Sequence, residues 1–198
     1  MSRQVTTVVL AGVGGQGTIL AGDVLAKVAA AAGHDVKLSE VHGMAQRGGS
    51  VDTVVRFGER VHAPTTAPGA ADNLIAFELI EAARALPLLK PGGTLVVNSR
   101  MVLPLPVLTG ALSQPTGLEA ALAYEEAIFI DAEALACEAG SPRSANIVLL
   151  GAASYGLPFD VETWKSVIAS RVPPKTIEGN LRAFDLGRSA CAEGACAL

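Results

Sequence analysis

A β-branched run that stops at a glycine turn, strand-like and helix-like stretches alternating as far as residue 131, and helix-only patterning beyond it predict an α/β fold. The expected architecture is a single three-layer Rossmann-like domain over residues 1–190, with a mostly parallel central sheet and a helical C-terminal part, followed by a tail at 191–198. A length of 198 residues suits one well-buried domain. Half of the residues are apolar but only 4 % are aromatic, so the core must be built mainly from Ala, Val, Leu and Ile.

The first strand is "TTVVLAG", residues 6–12, and a helix follows from about residue 17, with apolar Ile19, Leu20, Val24, Ala26 and Val28 and a stop near Gly33. "HDVKLSEVHG" supplies a second strand over 35–41. These pieces form a βαβ unit, whose two strands should run parallel with a right-handed crossover. "SVDTVVRFG", 50–58, is a third strand, and "RVHAPTTAPGAA" after it is loop-like or edge-like. "DNLIAFEL" is a fourth strand, followed by the helix "IEAARALPLLK", closed by Pro91, Gly92 and Gly93. "TLVVNS", 94–99, is a fifth strand, and "AIFIDA", 127–132, a sixth after the short helix "GLEAALAYEE".

Beyond Asp131 come "AEALACEAG", a helix over 146–155, "DVETWKSVIASRV" and "IEGNLRAFDLGRSACAEG". Val161, Trp164, Val167 and Ile168 share one helical face. The closing "CAEGACAL" has no strong pattern, and the cysteine-bearing tail is assigned no role.

Composition excludes several classes. The mean hydropathy of +0.41 is high, yet no run of about 20 apolar residues is free of charge or turn residues, so no membrane span is expected. The apolar surplus points instead to contact with another protein chain. "VTTVVLAG" is too short for a signal peptide and runs into a glycine turn, which gives a cytoplasmic expectation. A net charge of −4 without a Lys/Arg cluster argues against a nucleic-acid partner. Cys137, Cys191 and Cys196 have no C-x-x-C spacing and are one thiolate short of the usual iron–sulfur ligand set. There is no metal-ligand cluster and no nucleophile-elbow serine, so no metal site and no catalytic residue is assigned to this chain.

Two stretches carry the site expectations. Gly12, Gly14, Gly15, Gln16 and Gly17 form a G-x-G-x-x-G-type turn between strand and helix, where close backbone approach and helix-start amides favour a phosphate. Glu40 lies 23 residues beyond Gly17, near the distance at which a dinucleotide site holds its ribose hydroxyls, and equally suits an exposed strand-end carboxylate. "HGMAQRGGS", 42–50, places a titratable His42, a soft Met44, the amide of Gln46, the guanidinium of Arg47, two glycines and Ser50 between two strands. Arg47 could fork onto a phosphate or carboxylate, and His42 could exchange a proton near neutral pH.

The segments "GVGGQGTILAGDVLA", "EVHGMAQRGGSV", "APGAADNLIAFELIEAARALPLLKPGG", "VVNS" and "NLRAFDLG" occur in that order over roughly residues 5 to 187. Together they resemble the gamma-type domain of the pyruvate and 2-oxoacid:ferredoxin oxidoreductases. The 40–50 segment resembles the smaller (beta) subunits of the indolepyruvate branch more closely than the pyruvate branch. The resemblance implies a non-thiamine subunit of an enzyme that decarboxylates arylpyruvates, passes two electrons to ferredoxin and gives the acyl group to coenzyme A. It further implies a large alpha subunit carrying thiamine diphosphate and [4Fe-4S] clusters, usually in a heterotetramer, and it agrees with the lack here of a G-D-G…N-N signature and a cysteine set. The resemblance associates this domain with coenzyme A, for whose phosphates the 12–17 turn is a physically reasonable cradle; the same turn equally suits another phosphate ligand or plain packing of helix on strand. His42, Met44, Gln46, Arg47, Gly48, Gly49 and Ser50 become a substrate-contact or subunit-junction loop. Two other readings remain: a stand-alone NAD(P)-binding oxidoreductase using Gly12, Gly14, Gly17 and Glu40, and a purely structural or regulatory partner.

Overall fold

The computed structural model describes residues 5–43 and 48–192 of the chain. Six strands form one sheet: β1 (Thr6–Val13), β2 (Asp35–His42), β3 (Ser50–Gly58), β4 (Ala71–Ala76), β5 (Leu89–Asn98) and β6 (Ile128–Ile130). The helices are α1 (Thr18–Ala31), α2 (Leu79–Ala85), α3 (Leu105–Leu108), α4 (Leu118–Tyr124), α5 (Ala132–Glu138), α6 (Ala145–Ser154), α7 (Val161–Arg171) and α8 (Ile177–Ala190). The strand order is β2-β3-β1-β4-β5-β6. β1, β4, β5 and β6 pair in parallel, and β3 pairs antiparallel with both β1 and β2. Five strands therefore share one direction, and β3 opposes them.

This is the mostly parallel α/β sheet expected, with one change in neighbours. β1 and β2 do run parallel, but β3 lies between them, so the βαβ unit is split. The side chains explain the order. Val51, Val54, Val55 and Phe57 of β3 are buried, which demands an interior position, while β2 carries exposed Lys37, Leu38 and Val41 and suits an edge.

The parallel strands are apolar on both faces and need cover on both. Val8, Leu10, Val55 and Phe57 face a large core shared with α1 and α5 to α8, whereas Val9, Ala11, Val54, Leu74 and Val97 face a smaller core shared with α2 and α4. These are the three layers. Trp164 and Ile168 are fully buried, with Val161 and Val167 packed partly buried beside them, as the helical spacing requires. The Trp164 and Phe184 ring centroids lie 5.8 Å apart. Cys191 is also buried in this core, while Cys196 and the rest of 193–198 fall outside the described residues.

Two local readings are corrected. The helix expected over 80–90 ends at Ala85, gives one 3-10 turn over Leu86–Leu88, and β5 has begun by Leu89. Pro87 offers no backbone N–H to continue α2, and Lys90 then pairs with Asp72 across the β4–β5 ladder at 2.5 Å. The other is a helix absent from the sequence reading, α3, which starts after Pro104. Among the described residues, no helix is long and apolar enough to cross a membrane.

α6 and α8 cross so closely that glycine is required on each. A methyl group on Gly187 would collide with the Val148 carbonyl, and one on Gly151 with the Phe184 carbonyl. Gly187→Ala should therefore lower unfolding stability by ~1–3 kcal/mol, the usual scale of overpacking, although alanine is the better helix former. Denaturant unfolding checks this, and a stabilised variant would contradict the close crossing.

Candidate functional site

The β1–α1 turn is folded on itself. The Gln16 amide N–H donates to the Val13 carbonyl at 3.1 Å, and the Val13 amide N–H donates to Gln16 Oε1 at 2.7 Å. Gln16 is thus a staple of the turn. A Cβ on Gly12 would lie 2.8 Å from both Gln16 Oε1 and Thr18 Cγ2, so glycine is what lets the staple close. Gly17 adopts φ 83° and receives a 3.3 Å hydrogen bond from Asn146 Nδ2 onto its carbonyl. No side chain caps α1 and no acidic residue stands in its first turn, so the positive end of a 14-residue helix faces outward beside the exposed Gly15.

The second motif is brought to this turn by the sheet. Val13 pairs with Ser50 and Gly12 with Val51, and the pairing extends past the strand ends. The Gly14 amide N–H donates to the Gly49 carbonyl at 2.9 Å, and the Gly48 amide N–H to the Gly14 carbonyl at 3.5 Å. His42, opposite Val51 on β2, is exposed, with Nδ1 3.2 Å from the Gly43 carbonyl. Among the residues expected at the site, Gly12, Gly14, Gly15, Gln16, Gly17, His42, Gly48, Gly49 and Ser50 are therefore gathered in one place. Met44, Gln46 and Arg47 lie outside the described residues.

The turn has a cleft on either side. One, of about 410 Å³, is lined by Gly14, Gly15, Thr18, Ile19, His42 and Val51. The other, of about 570 Å³, opens at the carboxyl ends of β1, β4 and β5, between Gln16, Gly48, Phe77, Asn98, Arg100 and Arg143. β1 and β4 are where the chain switches from one side of the sheet to the other, the usual place for a ligand in such sheets. Asn98 ties the rim together: its amide donates to the Phe77 carbonyl at 3.1 Å and to Glu133 at 3.2 Å, while its Oδ1 accepts from the Ala132 amide at 3.2 Å. Arg100 pairs with Glu133 at 3.1 Å, and Arg143 is exposed. Asn98, Arg100, Arg143 and Asn146 were not among the expected site residues. Each is a single polar residue at an element end, and no local pattern marks it.

Beneath the turn, on the α2 face, stands an acidic group. Ser50 Oγ donates to Glu81 Oε2 at 2.5 Å, and Glu78, fully buried, accepts from the Glu81 amide N–H and from the Val102 amide N–H at 3.2 Å. Burial pushes the Glu78 carboxyl above its ordinary range, against the pull of its backbone donors. Burial, with the nearby Glu81 charge second, also raises Asp52. Among the described residues, no group of three or more His, Cys, Asp and Glu is arranged to hold a metal ion.

Glu40 does not stand on a strand next to β1, as a simple βαβ unit would have it. With β3 interposed, β2 lies two strand spacings, roughly 10 Å, from β1. Glu40 lines a depression along α1 with Gly17, Ile19, Leu20, Asp23, Leu38 and Arg171, on the β2 side of the turn and apart from the cleft at the carboxyl ends of β1, β4 and β5.

Residues 7–190 match the protein family described as pyruvate ferredoxin/flavodoxin oxidoreductase. The chain belongs to this family. It is 44% identical over 193 residues to the indolepyruvate oxidoreductase subunit IorB of Thermococcus kodakarensis, covering 94% of this chain and 96% of that one. It is 33% identical over 189 residues to the 2-oxoglutarate synthase subunit KorC of Methanothermobacter marburgensis, covering 93% and 96%. The fold is similar to the gamma subunit of a keto/oxoacid ferredoxin oxidoreductase from Geobacter sulfurreducens, with a TM-score of 0.71, 25% identity and coverage of 96% and 99%. It is also similar to a 2-oxoglutarate:ferredoxin oxidoreductase from Magnetococcus marinus with 2-oxoglutarate, coenzyme A and succinyl-CoA bound: TM-score 0.75, 25% identity, covering 97% of this chain and 32% of that longer one. As a member of the pyruvate ferredoxin/flavodoxin oxidoreductase family the chain is an oxidoreductase subunit. None of these likenesses supports the stand-alone nicotinamide-dependent reading.

The raised carboxyls give a pH signature. Because Asp52 holds its proton more tightly folded than unfolded, its contribution to stability is fullest below the ordinary carboxylate range and is lost as pH rises through the raised value. Asp52→Asn should therefore raise Tm near neutral pH and flatten the decline in stability just above the carboxylate range, as thermal scans across pH will show. Glu78 leaves part of that slope in place.

Proposed function

We propose that the chain is the smaller, non-thiamine subunit of an indolepyruvate (arylpyruvate):ferredoxin oxidoreductase that converts aryl 2-oxoacids to aryl-acetyl-CoA. The observation that carries the reading is 44% identity along nearly the whole chain to a subunit named for indolepyruvate, with both glycine motifs gathered at one mouth. The large alpha subunit is proposed to supply thiamine diphosphate and [4Fe-4S] clusters, the assembly to be a cytoplasmic heterotetramer, and ferredoxin to take the electrons. Thiamine diphosphate supplies the carbanion chemistry of decarboxylation, and the clusters carry the electrons away one at a time.

This chain's own residues fit the acyl acceptor, coenzyme A. Its phosphates would find the uncapped amides of α1, a glycine at position 15 with open space where a side chain would stand, and Arg100 and Arg143 across the cleft. The backbone amides and the helix end bind and orient without taking part in proton transfer. His42 and Ile19 wall the smaller cleft. Arg47, followed by Gly48 and Gly49, is proposed to reach the acceptor or the alpha subunit.

Co-expressed with its alpha subunit, the chain should co-purify as a complex, and anaerobic reduction of ferredoxin or a viologen dye by indolepyruvate should depend on it and on coenzyme A. Full turnover by the large subunit alone would sink the proposal. Arg47→Ala should raise the KM for coenzyme A about tenfold, the scale of one charge-assisted hydrogen bond. Unchanged kinetics and assembly would remove Arg47 from the site.

A further inference from the structure

Glu81 is 4 % exposed, and nothing proposed above uses it. It sits in the first turn of α2 among Leu79, Ala82 and Ala85, where an apolar side chain would complete the smaller core without desolvating a charge. Its contacts show what the carboxylate does. Oε2 accepts from Ser50 Oγ at 2.5 Å, 31 residues away in sequence, and Oε1 accepts from Arg84 at 3.0 Å. Arg84 is largely exposed, so that ion pair contributes little, whereas the bond to Ser50 is part-buried and joins two elements distant in sequence. Glu78 accepts from the Glu81 amide and from Val102, and so fixes Glu81 from the opposite side.

Ser50 directly follows the two glycines whose peptide groups meet Gly14 on both sides. Gly48, Gly49 and Gly14 have no side chains with which to hold that contact. The first side-chain anchor after them in sequence is the Ser50 hydroxyl, and its partner is Glu81. We infer that Glu81 is a positioning residue: by holding Ser50 it sets the 48–49 peptides against Gly14 and so fixes the shape of the glycine turn. It touches no substrate. The inference rests on the reading that this turn holds coenzyme A, and it assigns control of that site to a residue on the far side of β3.

The test uses four variants, Ser50→Ala and Glu81→Ala, which break the contact, and Ser50→Thr and Glu81→Gln, which keep a donor and an acceptor. In the full chain alone, amide hydrogen exchange at Gly14 should be about tenfold faster in the two alanine variants, the equivalent of one hydrogen bond, and near wild type in the other two. In the complex, the alanine variants should raise the KM for coenzyme A about tenfold with kcat within about twofold, and the conservative pair should restore it. A merely structural role would lower the active fraction, and so kcat, with KM unmoved; that result overturns the inference, as does unchanged exchange at Gly14. Ser50→Ala keeps the test decisive if Glu81→Ala does not fold. A wild-type complex that reduces no acceptor would refute the proposed function instead, and the exchange measurement would then decide the positioning role by itself.

Discussion

The antiparallel pairing of β1 with β3 is the constraint on which the site depends. Eight residue pairs run from Thr6 with Phe57 to Val13 with Ser50, and this ladder places the end of the first motif against the end of the second. The register cannot slip by one residue without turning Val51, Val55 and Phe57 from the α1 face toward the α2 face, so core packing fixes the site's geometry to within a residue. Gly14, Gly48 and Gly49 then continue the ladder beyond the strands with backbone alone. Two glycine-rich segments are thereby joined edge to edge by backbone hydrogen bonds into one lip.

Charge is sorted by the same sheet. At the carboxyl ends of the strands the turn offers amides, an uncapped helix start and two arginines, with Glu133 pairing one of them. The acids Asp52, Glu78 and Glu81 are held beneath, on the α2 face, where burial and mutual repulsion push Glu78 and Asp52 toward their neutral forms. The carboxylate that does line the mouth, Glu133, is paired with Arg100. Placed beneath, and occupied by Ser50 and backbone donors, the acids shape the lip with little net negative charge facing the cleft.

Much of this was legible in the sequence, and what was not has identifiable causes. Element types followed from period and punctuation because β-branched runs and glycine or proline stops agree with the fold along most of the chain; β3 matched residue for residue. The position of β3 between β1 and β2 was not legible, because strand order depends on which strand can bear burial on both faces, and the pattern of β2 only shows this once the helices are placed. That one neighbour relation also puts Glu40 two strands from β1, in a depression that reaches Gly17 but not the cleft at the carboxyl ends of β1, β4 and β5. The early end of α2 was available in Pro87 but was outweighed by the helical run around it. Asn98, Asn146 and the buried Glu81 are single residues whose roles exist only through partners 34, 129 and 31 positions away.

The high mean hydropathy, which pointed to contact with another chain, also has a source inside the fold. α6 is buried from Asn146 through Ser154, on every side, because α5, α8 and the sheet enclose it. The parallel strands are apolar on both faces for the same reason. Helices packed this closely need small residues, and the Ala- and Gly-rich composition that raises the mean hydropathy is what permits the α6–α8 crossing. The large apolar side chains left exposed are concentrated in sequence at Ile19, Leu38 and Val41 near the turn and at Leu105, Leu108 and Leu112 after β5. These exposed positions lie near the turn and after β5, while most of the other apolar side chains are buried in the two cores.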